Sequence, residues 1–334
     1  MKIVMKILLW GLGIIVVVAL VLGGLFLHQI KKTLTTAGKI VEWNDSEGTT
    51  YKDLRYGDGT RNTYDLIIPA NGQPTALMLF IHGGAWMGGN KEDMTYEAHR
   101  FAKRGYATAT INYTRIGADS LDYHSQYEYP CFPSMMDEIN RAIGAIKIKG
   151  EKLGIDFKQM AIGGYSAGGH LAMLYATQYA TTSPIPIKFQ ISWVGPSDIN
   201  MMFPSVALSE LKSIDNLAER GAKEMELFNF IRNIVGYTPD IKTLSLEDLE
   251  HLKMLGSPVH FVSENTPAAI LAYGAKDGLV SSEQGQRMAN VLNAAGVENR
   301  LFVFPNSGHE LGQDKEYTEM LYEAIGQFCE KYFE

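Results

Sequence analysis

In the middle of the chain an apolar run, Met160–Gly163, gives way to a helical pattern over about 167–180, and the junction reads Gly164-Tyr165-Ser166-Ala167-Gly168. A G-x-S-x-G in that setting restricts the fold, because the serine must stand on a strained strand-to-helix turn at the edge of a sheet. Glycines two residues to either side remove the Cβ atoms that would collide there. The five-residue pattern alone is short enough to arise by chance. Its strand–turn–helix context is what gives it weight.

The surrounding sequence supplies a sheet for such a turn. Strand-like runs fall at Tyr51–Tyr56, Thr63–Ile68, Ala76–Ile81, Ala107–Tyr113, Phe189–Val194, Ala268–Tyr273 and Leu301–Phe304. Helical patterns occupy about 91–104, 134–154, 281–295 and 315–333. The first two strands flank a GDGTRN turn and read as a hairpin. ALMLFI, ATATINY and AAILAY are short apolar runs of the kind a parallel sheet covered on both faces requires. The alternation predicts an α/β domain over 51–334 with a doubly wound, mostly parallel sheet and an antiparallel start. One stretch, about 198–262, breaks the rhythm. Leu208, Leu211, Ile214 and Leu217 share a helical face there, and Leu227, Phe228, Phe230, Ile231, Ile234 and Val235 form a second apolar set. It is expected to be a helical cap over the C-terminal edge of the sheet, where open α/β folds bind ligands.

Composition narrows the partners. Among 334 residues the net charge is −7 with no basic run, which argues against nucleic acid. Cys131 and Cys329 are too few for a disulfide framework or a zinc site and read as idle thiols. At the N-terminus, Ile7–Leu27 carries no charge and at about 1.5 Å per residue spans roughly 30 Å as a helix, a bilayer's hydrocarbon thickness. The run is longer than a signal-peptide core and lacks a small-x-small cleavage site after it. A single-pass membrane anchor over 7–27 is therefore expected, with a polar linker over 28–50 and the domain outside the cytoplasm.

A serine hydroxyl needs a base, and the base needs an orienting acid. In this topology the order is Ser, acid, His. Asp277 follows AAILAYG in the segment AKDG, and His309 follows LFVF in PNSGHEL, so both lie beyond strand ends on the edge expected for Ser166. The rival acid is Asp198 in GPSD. Phe80-Ile81-His82-Gly83-Gly84-Ala85-Trp86 ends a strand in open backbone amides. Gly83 and Gly84 N–H, with Ala167 N–H, are the candidate oxyanion donors. His82 reads as a structural hydrogen-bonder, and His170 as a packed residue behind the serine. Trp86, Tyr165 and Tyr127 are candidate substrate contacts; Tyr123, His124, Tyr129 and Phe132 share the aromatic loop of Tyr127, for which ordinary packing is the commoner role.

HGGAWMGGNK, INYTR, GYSAGGHLA, GPSD, YGAKDGLV and FPNSGHEL occur in this order across about 52–334. On these motifs the chain resembles the α/β-hydrolase superfamily, and within it the hormone-sensitive-lipase-like and acetyl-esterase or feruloyl-esterase-like carboxylesterases. The resemblance implies an eight-stranded sheet, no metal or cofactor, and hydrolysis of a small-molecule, lipid or polysaccharide ester through Ser166, Asp277 and His309. Three positions depart from it: Ala85 where a third glycine is frequent, Tyr165 where lipase-like members carry Asp, and Ser281 where Pro is frequent. The alternatives are an amidase or arylformamidase-type hydrolase of the same fold, or a silent, membrane-tethered binding protein on that fold.

Overall fold

Eight strands form a single sheet in the order β1-β2-β4-β3-β5-β6-β7-β8 in the computed structural model. It describes residues 41–71, 74–117, 119, 123, 125–202, 221, 229, 231–237 and 245–333. All of these belong to one compact unit, Ile40–Glu334. The strands are β1 Gly48–Arg55, β2 Thr63–Pro69, β3 Ala76–Ile81, β4 Ala107–Ile111, β5 Gln159–Tyr165, β6 Ile187–Trp193, β7 Ala268–Gly274 and β8 Asn299–Phe304. β1–β2 and β2–β4 pair antiparallel, and every other pairing is parallel. The doubly wound sheet with its antiparallel start is thus as the alternation requires.

Burial explains the patterns. β3 and β7 are buried at every position, which is why they read as unbroken apolar runs. Along β3, Leu77, Leu79 and Ile81 face one layer, while Met78 and Phe80 face the other. The first layer is made by α2 (Phe132–Lys152) and α3 (Ala167–Gln178), through Met135, Ile139, Ile143 and Leu171. The second is made by α1 (Thr95–Ala102) and the C-terminal helix, through Ala98, Phe101, Leu321, Ile325 and Phe328. A third cluster packs Leu271 and Tyr273 of β7 against Met288 and Leu292. α3 is buried at nearly every position, so its sequence shows little helical periodicity. Cys131 and Cys329 are buried free thiols.

The chain packs onto the domain earlier than residue 51. β1 begins at Gly48, Trp43 Nε1 donates to Thr50 Oγ1 at 3.1 Å, and the Trp43 ring stacks on His99 at 5.3 Å. Of the expected cap, 203–220, 222–228, 230 and 238–244 lie outside the described residues. The described parts include α4 (Leu246–Leu255), capped by Ser245, whose hydroxyl accepts from Asp248 N at 3.0 Å.

The membrane assignment is corrected. Among the described residues no helix is long and apolar enough to cross a membrane. The longest, α2, carries Asp137, Glu138, Arg141, Lys147, Lys149, Glu151 and Lys152 along its length, charges that hydrocarbon would not accommodate. The run 7–27 lies outside the described residues. The anchor and the extracytoplasmic placement are therefore both withdrawn.

Candidate active site

Parallel register brings the loops of interest to one edge. Ile81 of β3 pairs with Gly164 of β5, Tyr165 with Trp193 of β6, Trp193 with Ala272 of β7, and Gly274 with Phe304 of β8. The chain leaves β3, β5, β7 and β8 toward His82, Ser166, Asp277 and His309 respectively. This is the carboxyl edge, where α/β sheets carry their sites.

Ser166 has φ 53° and ψ −119°, a conformation costly for a residue with a side chain. The turn persists because its surroundings determine it. Ser166 N donates to Trp193 O at 2.8 Å, and His170 N to Ser166 O at 3.0 Å. A Cβ on Gly168 would lie 2.1 Å from Ile81 O and 2.5 Å from His82 O; one on Gly164 would lie 2.7 Å from Ile81 O. The two motif glycines thus let the serine turn press directly against the start of the His82–Gly84 loop.

His309 Nδ1 lies 2.7 Å from Asp277 Oδ2, and neither side chain is more than 8 % exposed. Asp277 Oδ1 accepts from Leu279 N at 2.8 Å and Val280 N at 3.0 Å. The carboxylate is therefore aimed through one oxygen while the backbone holds the other. With Nδ1–H committed to Asp277, Nε2 is the nitrogen left to exchange a proton. Asp314, at the start of the C-terminal helix (Lys315–Tyr332), ties down the histidine's loop. It accepts from Ser307 Oγ at 2.7 Å, Asn306 N at 3.0 Å and Asn306 Nδ2 at 2.9 Å. Tyr165 O–H donates to the His309 carbonyl, and the two rings meet edge-on at 5.9 Å. Burial pushes the Tyr165 phenol well above its usual range, so it remains a donor. The residue beside the serine thereby holds the backbone of the histidine.

The rival acid is engaged elsewhere. Asp198 pairs with Arg287 Nε at 2.6 Å and accepts from Asn200 N at 2.9 Å. His82 and His170 are fully buried, and burial lowers them to about 3 and about 4, so both are neutral at pH 7. His170 Nδ1 accepts from Trp86 Nε1 at 3.1 Å, and its Nε2 faces Gly256 O at 2.7 Å. Trp86 turns its indole inward, 8 % exposed, against His170 and Phe132. Half-buried Tyr127 lies against Gly236, and Tyr129 carries Arg232 over its ring at 4.4 Å. In this loop Phe132 is buried, and His124 lies outside the described residues. Of the candidate substrate contacts, Tyr165 stands beside the dyad, whereas Trp86 is committed to packing.

Sequence reasoning missed several supporting residues. Arg61 bonds the His82–Asn90 loop from the turn between β1 and β2, and Asp314 holds the histidine loop, each from a segment with no local motif, while Asn112, within INYTR, accepts from Arg61 Nη2 and Lys91 N. A cavity of about 710 Å³ beside Lys91, Asp53, Asp65 and Trp43 was also unforeseen; none of Ser166, Asp277 and His309 lines it.

Sheet order, serine turn and histidine–carboxylate pair together define an α/β-hydrolase fold. The BD-FAE family model matches residues 64–292, and the chain belongs to that family. The isoprenylcysteine alpha-carbonyl methylesterase of Arabidopsis thaliana is 22% identical over 261 residues, covering 77% of this chain and 56% of that one. Esterase LipQ of Mycobacterium tuberculosis is 24% identical over 283 residues, covering 83% and 61%. The chain thus spans little more than half the length of these curated relatives. Among solved structures, a bacterial heroin esterase superposes with TM-score 0.63 at 19% identity, covering 93% of this chain and 91% of that one. A truncated carbohydrate esterase from gut microbiota superposes with TM-score 0.60 at 21% identity, covering 86% and 99%.

Proposed function

We propose that the protein is a serine carboxylesterase that hydrolyses a short-acyl carboxylic ester through an acyl-enzyme. The observation that carries this reading is the 2.7 Å bond between His309 and Asp277 on the sheet edge that bears the strained Ser166 turn. Relatives named as esterases support the same bond type.

In this mechanism His309 Nε2 takes the proton of Ser166 Oγ as the oxygen attacks the ester carbonyl. Asp277 keeps the ring in the Nδ1–H form and stabilises the imidazolium. Gly83, Gly84 and Ala167 N–H receive the developing oxyanion. His309 then gives its proton to the departing alkoxide, releasing the alcohol and leaving an acyl-serine. Water repeats the sequence: His309 takes its proton, the hydroxyl adds to the acyl carbon, and the acid leaves as the proton returns to Ser166. The short-acyl preference rests on Ala85, which places a side chain where the HGGG loop of the family resembled has a third glycine. It sits at φ 51°, next to the oxyanion donors.

The test is hydrolysis of nitrophenyl esters with two to about twelve acyl carbons by the full chain, with Ser166→Ala as control. Turnover that is greatest at two to four carbons and vanishes in the control is expected. Turnover that survives the substitution contradicts the serine assignment, and a maximum at long chains contradicts the acyl preference.

A further inference from the structure

The loop that carries Gly83 and Gly84 is gripped by one side chain remote in sequence. Arg61 lies in the hairpin turn between β1 and β2, its side chain 11 % exposed. Its Nε donates to the Tyr113 carbonyl at 3.1 Å and its Nη1 to Asn90 Oδ1 at 2.6 Å. Its Nη2 faces the Gly89 carbonyl at 3.0 Å, Asn112 Oδ1 at 3.0 Å and His82 Nε2 at 3.1 Å. One guanidinium therefore holds the entry of the loop at residue 82, its exit at 89 and 90, and the end of β4 beside it.

A guanidinium has donors only. His82 Nε2 must accept from it, so the ring proton resides on Nδ1, which lies 2.7 Å from the Gly83 carbonyl. The ring cannot swing away, because Tyr113 stacks on it at 4.3 Å and 11°. Gly83 C=O and Gly84 N–H belong to one planar trans peptide and point in opposite directions. Holding the oxygen toward His82 therefore aims the Gly84 N–H away from the ring. Gly89 closes the arrangement, since a Cβ there would lie 2.4 Å from Gly83 O and 2.6 Å from His82 Nδ1.

We propose that Arg61 is a positioning residue for the oxyanion loop: it fixes His82 in the Nδ1–H form, and His82 in turn fixes the peptide whose N–H receives the oxyanion. The chain of contacts rests on the esterase reading above. Arg61 bonds to none of Ser166, Asp277 and His309, and it reaches the Gly83–Gly84 peptide through His82.

Two measurements on the full chain test it. Nitrogen-15 NMR of histidine-labelled protein is expected to show His82 with a protonated Nδ1 and an unprotonated, acceptor Nε2, shifting toward mixed tautomers in Arg61→Met. Kinetics of Arg61→Met on nitrophenyl acetate are expected to lose about 10- to 100-fold in kcat with KM within about twofold, as for a misaligned oxyanion donor. Combined with His82→Asn, the Arg61→Met loss should shrink to less than about threefold, because both changes break one chain of contacts. Arg61→Lys, which keeps a donor, is expected to recover part of kcat; it serves as the kinetic test if the methionine variant does not fold. An Nε2–H tautomer in the unaltered protein, an unchanged kcat, or losses that multiply in the double variant would each overturn the proposal. The tautomer is read without turnover, so it decides the Arg61–His82 relation even if Ser166→Ala removes the esterase reading.

Discussion

Two loops meet on the carboxyl edge of the sheet, and they are secured in different ways. The β7–β8 side carries Asp277 and His309, and its supports are mostly near in sequence: Leu279 and Val280 amides on the carboxylate, Asp314 on the histidine's own loop, with Tyr165 O–H on the His309 carbonyl as the contact from a distant strand. The β3 side carries Gly83 and Gly84, and its supports come from Arg61 and Asn112 on other strands' loops. The first loop is a local device that chain order brings into place. The second is pre-organised by contacts that exist only once the whole antiparallel end of the sheet has formed. Chemistry on the first side should therefore fail one residue at a time, whereas failure on the second should spread through shared contacts.

The largest expected effects lie in the dyad and its serine. Ser166→Ala should reduce kcat by at least about 10⁴-fold, and Asp277→Asn by about 10⁴-fold with KM little changed, read from steady-state kinetics. Asp198→Asn sharpens the contrast. It breaks the pair with Arg287 and should lower the thermal midpoint while leaving kcat of the folded protein within a few-fold. A comparable loss of kcat in that variant would mean that the wrong acid has been assigned.

Next is the seam between the two sides. Gly168→Ala would put a carbon 2.1 Å from Ile81 O, so the serine turn and the His82–Gly84 loop must part. A loss of about 10²-fold or more in kcat/KM is expected wherever the variant folds, with circular dichroism reporting the fold. Normal activity would show that the seam tolerates separation. Asp314→Asn is expected to act less strongly. It weakens the hydrogen bonds on Ser307 and Asn306 and should cost about tenfold in kcat, with a lower thermal midpoint.

Last comes an effect on stability rather than on turnover, its dependence on pH. His82 and His170 are held by burial at about 3 and about 4, against 6.5 for the unfolded chain. Above pH 6.5 neither state takes up the proton and their contribution is complete. As pH falls from 6.5 toward about 4 only the unfolded chain protonates, so stability declines by up to about 1.4 kcal/mol per pH unit for each histidine. Urea midpoints over that interval should fall, with a shallower slope in His170→Asn. An identical slope would mean that His170 takes up its proton in the folded state.

The same contrast explains what was legible in the sequence. Ser166, Asp277 and His309 each follow a strand with a clear apolar run, so their shared edge could be read from strand order alone. The sheet was legible for the same reason: ALMLFI and AAILAYG are buried on both faces and declare it. Arg61 was not, because GDGTRN describes a hairpin turn equally well whether its arginine points to solvent or to His82. The inward turn of Trp86 was not legible, because the sequence does not show His170 of α3 accepting its indole N–H. The anchor expected over 7–27 rested on the length and apolar character of that run, and no described helix supports it.

The most direct test of the central claim is to trap the acyl-enzyme equivalent. The full chain would be treated with a fluorophosphonate, digested and mapped by mass spectrometry, alongside His309→Ala. One adduct per chain is expected, located on Ser166 and forming at least about 10²-fold more slowly in His309→Ala. An adduct on another residue, or labelling of Ser166 at an unchanged rate without His309, would contradict that claim.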